Sequence, residues 1–241
     1  GFALTYSTLA SIVKYPYESQ YADSSKTKFG FFQTEKRSFE RIANELGIIR
    51  HPEFPNRYAR HPLVYLVEAA DDICYQIMDI EDAFKLRILT FDETQTLLLA
   101  FLPEKRKERA LNEIFKMVTD TNEQIAYLRS TVIGILIKAC ATIFVENEED
   151  MLAGKFQKSL IHKLPEPLQS AYTNCSQVAV AKIYKSQEVL DVELAGYRII
   201  SELLETLIEA VSNPTKAYSK QILNRIPSQY DIHSELLYNR I

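Results

Sequence analysis

The sequence predicts an all-α protein, and three observations carry that prediction. Only six glycines occur among 241 residues, and Leu, Ile, Ala, Glu and Lys dominate, a composition that favours helices over sheets. Apolar residues recur at helical spacing through several segments. Capping and stop signals such as Thr90, Gly47 and Asn213-Pro214 fall where those segments should begin or end.

In chain order, Thr5 to Val13 reads as a short amphipathic helix, stopped where Pro16 pushes Tyr15 away from helical geometry. Residues 18–27 are polar and read as a surface loop. A second short helix is predicted over Thr34–Leu46, capped at Thr34 and closed by Gly47. A loop with Pro52, Pro55 and Arg57 precedes a long helix over residues 61–83. Thr90 caps a helix over Asp92–Leu102, and Lys105–Val118 is a charged helix or helix pair. Thr121–Phe144 is long and apolar, a central core helix, followed by an acidic turn at Glu146–Asp150. Pro165 and Pro167 open a helix through Lys182. Ser186–Val211 shows helical periodicity at Val189, Val192, Leu203, Leu204, Leu207 and Ile208, and a last helix starts near Asp231.

Composition narrows the class further. Hydrophobic residues make up 46% and charged residues 25%, which suits a packed globular chain rather than a disordered one. The formal net charge is −4, so a site for an anionic ligand has to be built locally from a few placed Lys or Arg. Cys74, Cys140 and Cys175 are widely spaced in apolar helical contexts, as expected of buried, reduced thiols in a cytoplasmic protein. No run of ~18 uninterrupted apolar residues suggests a membrane span. The first residues have neither Met nor a basic stretch and read as a start in mid-protein. There is no internal repeat and no glycine-rich phosphate loop.

The helix over residues 61–83 holds the main functional signal. Its apolar positions run nearly all the way round, which predicts burial on most sides. Yet it carries Glu68, Asp71, Asp72, Asp79, Glu81 and Asp82, and ionised carboxylates seldom enter a buried helix unless paired or bound to metal. Asp71, Tyr75 and Asp79 stand at i, i+4 and i+8, along one stripe. A carboxylate there suits a hard divalent cation, another suits a sugar hydroxyl, and a tyrosine ring between them offers a flat face to a sugar. The same spacing equally suits acids that cap loops, pair with Arg or Lys, or face solvent.

The string from His61 to Ala83, HPLVYLVEAADDICYQIMDIEDA, closely resembles the corresponding helix of bacterial dGTP triphosphohydrolases of the HD superfamily. The resemblance continues in LTYSTLASIVKYPY at 4–17, KFGFFQTE at 28–35, YLRSTVIGILI at 127–137 and KIYKSQEVLDVELAGYRIISELLE at 182–205. It implies an HD-type helical bundle of which this chain is the C-terminal part. Residues 61–83 would be its active-site helix, and residues 121–241 a helical region involved in assembly. By the same resemblance Asp71 is a metal ligand, Tyr75 packs on the deoxyribose, Asp79 hydrogen-bonds the sugar 3′-hydroxyl, and Lys14 and Lys28 hold the triphosphate. Asp72 and Glu68 support the metal shell or pair locally. His61 is not the family's metal histidine, and His51, His162 and His233 are expected to be surface residues.

The resemblance also implies Mg²⁺ or Mn²⁺ as cofactor, a dGTP or other dNTP substrate, hydrolysis at the α-phosphorus, a homo-oligomer such as a hexamer, single-stranded DNA as a further partner, and no membrane. The family's His…His-Asp motif is expected upstream, because this chain contains no His-Asp dipeptide and a lone Asp71 cannot fix a transition metal. The alternative function is a non-catalytic helical assembly or regulatory fragment that binds nucleotide or single-stranded DNA. Arg198, Lys216, Lys220 and Arg225 offer a basic patch for the latter, or are simply solvated.

Overall fold

The computed structural model describes residues 3–22, 27–228, 230 and 232. Among these residues every named element is helical, and one isolated bridge, Arg50 to Tyr58, is the sole extended pairing. The chain divides into two units, Gly1–Ile183 and Tyr184–Ile241. The helix predicted from Asp231 onward lies outside the described residues.

The first unit opens with α1 (Tyr6–Ser11), whose start is fixed by the Thr5 hydroxyl accepting from the Thr8 N–H at 3.2 Å. In α2 (Lys36–Glu45) the predicted start differs. The carboxylate of Glu35 reaches back to the Phe32 N–H at 2.9 Å over a preceding 3₁₀ turn, Gln33–Glu35, so the entry is organised by an acid rather than by Thr34. The predicted stop holds: Gly47 sits at φ 64°, where an L side chain is strained, and Ile48 donates back to the Ala43 carbonyl at 2.8 Å. Phe31, Phe39, Ala43 and Tyr58 form a small core beside α2, with Phe31 and Phe39 stacked at 4.6 Å.

α3 (Leu63–Lys85) is the long helix of the unit. It ends with Arg87 at φ 62°, the position usually given to glycine, while Ile88 and Leu89 donate to the Ala83 carbonyl. Next comes α4 (Phe91–Leu99), begun by a reciprocal cap in which Thr90 and Glu93 each accept from the other's backbone N–H. The charged stretch is a helix pair joined by a wide turn: α5 (Glu104–Arg109), a π-turn at Ala110–Ile114, then α6 (Phe115–Met117).

α7 (Thr121–Glu146), N-capped by Asp120, makes the most extensive helix contact of the chain, against α3. Ile125, Leu128, Val132, Leu136, Cys140 and Ile143 are its buried line, at helical spacing. Although its apolar run is broken by Arg129 and Lys138, α7 is long and apolar enough by length and composition to cross a membrane, which the count of uninterrupted apolar residues missed. In this fold α7 packs onto α3 and α4 along one face, and 28% of that apolar window is buried. The acidic turn predicted next is a short helix, α8 (Glu148–Leu152), and α9 (Leu168–Val178) runs into a π-turn at Ala179–Ile183.

In the second unit α10 (Gln187–Ser212) pairs with α11 (Ala217–Leu223), the latter absent from the sequence prediction. An apolar groove of about 560 Å³ runs between the end of α10 and the segment after α11, walled by Leu203, Leu207, Val211, Ile222 and Ile226.

Candidate active site

The predicted burial of α3 on most sides holds only in part. Val64, Ala69, Ile73, Ile77 and Ile80 are buried at 3% exposure or less, but Leu63, Val67, Met78 and Tyr75 are open, Tyr75 by 61%. Asp71 lies on the same open side, and Asp79 is half-buried. The sequence pattern reports that a face is apolar, not what covers it. Cys74 belongs to this face too and is exposed, unlike the buried thiols of Cys140 and Cys175; all three are free.

The acids of α3 separate into two groups by partner. On one side Glu81 is buried and takes Arg129 of α7 at 2.8 Å and Lys85 at 3.3 Å, so this carboxylate clamps the α3–α7 pair. On the other side Glu68 is buried and takes two cations, Lys14 at 2.9 Å on one oxygen and Arg60 at 3.1 Å on the other. The expectation that Glu68 pairs locally is met there. Burial works against the charge of Lys14, but the hydrogen bond and charge of Glu68 outweigh it, and the ammonium pKa rises above its ordinary 10.5. One turn further, Asp72 is half-buried; desolvation and the neighbouring charges of Glu68 and Asp71 push its carboxyl upward against the pull of Lys14 and His162. Its backbone carbonyl accepts from the Tyr172 hydroxyl of α9 at 3.0 Å.

Lys14 reaches this place because the chain turns sharply after α1. The Tyr17 N–H donates to the Tyr15 carbonyl across Pro16 at 2.7 Å, and the Tyr58 N–H donates to the Pro16 carbonyl at 3.1 Å. Lys28 stays exposed. What ties it to Lys14 is backbone: Gly30 donates to the Tyr17 carbonyl at 3.1 Å and lies so close to Tyr15 that a Cβ at residue 30 would stand 2.1 Å from the Tyr15 carbonyl oxygen. Only glycine permits that approach.

The structure thus brings Lys14, Glu68, Asp71, Asp72, Tyr75 and Asp79 onto one side of α3, with Lys28 on an adjoining segment. Among the described residues no group of three or more His, Cys, Asp or Glu is placed to hold a metal ion. The described donor set does not make a metal site by itself; Asp71 is one exposed carboxylate.

Sequence reasoning missed the residues around Lys14. A cavity of about 310 Å³ lies beside it, walled among others by Tyr15, His51, Arg57, Arg60 and Tyr65. Arg57 lies over the rings of Tyr17 and Phe54, 4.4 and 4.8 Å from their centroids, and donates to the Tyr21 carbonyl at 2.5 Å. His51, taken for a surface residue, is half-buried in this wall, accepting on Nδ1 from the Glu53 N–H with its Nε2 3.4 Å from the Gln157 amide. The Arg60-His61-Pro62 string just ahead of α3 was the available signal for Arg60.

No protein-family model matches the chain. Curated relatives do. A deoxyguanosinetriphosphate triphosphohydrolase-like protein of Pseudomonas aeruginosa is 31% identical over 233 residues, covering 93% of this chain and 51% of its own length. A protein of the same name from Synechocystis is 32% identical, covering 88% of this chain and 48% of its own length. A deoxyguanosinetriphosphate triphosphohydrolase of Yersinia enterocolitica is 26% identical, covering 98% and 48%. The chain therefore spans about half the length of the curated relatives it matches.

The fold defines an all-α chain, and the curated relatives it matches over about half their length are named for a hydrolase. Within that class it is a homologue, across nearly its whole length, of the proteins named for dGTP triphosphohydrolase.

Proposed function

We propose that the whole protein hydrolyses dGTP, or a related dNTP, to the deoxynucleoside and inorganic triphosphate, and that this chain supplies one wall of the site. The observation that carries the reading is the stripe of α3, with Asp71 and Tyr75 exposed and Asp79 half-buried along one side and Lys14 paired to Glu68 on the same helix, in a chain homologous to proteins of that name. In this reading Tyr75 gives its ring to the deoxyribose, Asp79 accepts from the 3′-hydroxyl, and Lys14 and Lys28 neutralise the triphosphate. An ammonium held charged by Glu68 suits that last task across the neutral range.

Asp71 is the ligand this chain offers a Mg²⁺ or Mn²⁺ ion, which needs further ligands from outside the described residues. Homo-oligomeric assembly is supported by α10, where Val192, Leu194, Tyr197, Ile199 and Ile200 are each exposed by 59% or more. The cytoplasm is the compartment we assign, on free Cys74, Cys140 and Cys175.

The test is release of inorganic triphosphate from dGTP by the full-length protein with Mn²⁺. Asp71→Ala should lower turnover by at least about a hundredfold and weaken Mn²⁺ binding, as loss of a first ligand does. Turnover at the wild-type rate in Asp71→Ala would remove the assignment.

A further inference from the structure

We propose that the outer face of α7 is the docking surface for the part of the full-length protein that lies outside these 241 residues, which seats there an amphipathic helix edged with acidic side chains. The buried line of α7, from Ile125 to Ile143, is turned toward α3 and α4. On the opposite side Ile137 is 55% and Val145 69% exposed, and Ser130, Gly134 and Ala141, exposed as well, fall in register with them. That line carries no charge, and Lys138 stands at its edge. A helix that is apolar on every side belongs in an interior, and the described residues build that interior on one side of α7 only.

Two features define the body that covers it. Gly134 lies in mid-helix, where glycine costs about 1 kcal/mol relative to alanine, and a Cβ there would meet nothing within 4 Å among the described residues. Close approach of a further helix is what gives a glycine a use at that place. Beside it runs a groove of about 650 Å³, lined by Ile135, Ala139 and Ile143 and by the cations Arg106, Lys138 and Lys163. Among the described residues none of these three cations forms an ion pair, although Lys107 and Arg109 of α5 both do, and Glu146 is the one acid in the wall. Acidic side chains flanking an apolar stripe complement such a rim.

The cover is the remainder of the same chain rather than a second copy. The curated relatives are about twice as long as this chain, so as much protein again is tethered to it. A covalently joined segment meets the face at an effective concentration on the order of millimolar, ahead of any second molecule. The exposed side of α10 is the separate surface assigned above to assembly. The inference stands on this geometry and on the length of the relatives, not on dGTP hydrolysis.

The full-length protein is treated with a carbodiimide, which joins a lysine to a carboxylate in contact with it, and the cross-linked peptides of the single-chain band are read by mass spectrometry. Lys138 or Lys163 should be joined to an Asp or Glu outside these 241 residues. A link only to an acid within them, a link only in a band of twice the chain mass, or no link at either lysine overturns the inference; the first makes the cover this chain's own and the second makes it another copy. In the same full-length protein Ile137→Cys and Val145→Cys should react with a maleimide at least about tenfold more slowly than Met117→Cys, whose position is 84% exposed. Equal rates would leave the face bare and overturn it. Loss of dGTP turnover beside these results would count against the proposed function alone.

Discussion

Glu68→Gln is the perturbation whose consequence the structure specifies best. The substitution keeps the size of the side chain and one acceptor oxygen but removes the charge that Lys14 and Arg60 share. Truncating one partner of a fully buried ion pair costs about 3–5 kcal/mol, whereas an exposed pair is worth roughly 0–1 kcal/mol. Here the acid is buried, with 8% of its side chain exposed, but Lys14 keeps 37% and Arg60 23%. Both orphaned cations can turn partly to water, which places the loss near 2 kcal/mol. For a unit of this size that is a fall in melting temperature of about 4–8 °C. Because the pKa of Lys14 is raised in the folded state, its contribution is complete below 10.5 and disappears as pH rises through the higher folded value. The deficit should therefore be constant between about pH 7 and 9. Urea melts of wild type, Glu68→Gln, Lys14→Met and the double variant measure it, with a coupling of at least about 1 kcal/mol expected. Strict additivity of the two substitutions would refute the shared-charge account.

Other predictions concern helix ends and thiols. Arg87→Gly should raise stability by about 0.5–1 kcal/mol in thermal melts, since it relieves a left-handed side-chain residue at the end of α3; a loss would mean that the Arg87 side chain contributes more than the strain costs. Lys182, with the backbone and hydroxyl of Thr90, holds the Glu93 carboxyl down from 4.5 to about 2. Its stabilising contribution is present above 4.5 and lost as pH falls through about 2, so the gap in melting temperature between wild type and Glu93→Gln should close on that descent. A gap that widens on acidification would contradict the pairing. In the 241-residue chain a disulfide reagent at about pH 8 should modify Cys74 promptly, and Cys140 and Cys175 only after denaturation, because burial lifts their thiols to about 11 and about 12.

Much of this was readable from sequence where the cause is local. The Thr90 cap, the stop at Gly47 and the extent of α3 each depend on a few neighbouring residues, and each appears within two residues of its predicted place. Local signals also mislead when two compete: Thr34 has the preferred capping chemistry, yet Glu35 makes the bond because its longer arm reaches the Phe32 N–H. The short helix α11 carries too little periodicity to stand out from Lys216 to Leu223. The stripe of Asp71, Tyr75 and Asp79 was legible because helix geometry dictates it. The cavity was not, since Lys14 and the segment that carries His51, Arg57 and Arg60 lie far apart along the chain and no spacing brings them together.

The glycine at position 30 has a mechanical consequence. Its contact with the Tyr15 carbonyl fastens the segment bearing Lys28 to the turn bearing Lys14, backbone against backbone, with the Val13 side chain close beside it. The segments that carry the two lysines are thereby held together through main chain, and inserting even a methyl group at residue 30 would force them apart while leaving both lysines chemically intact.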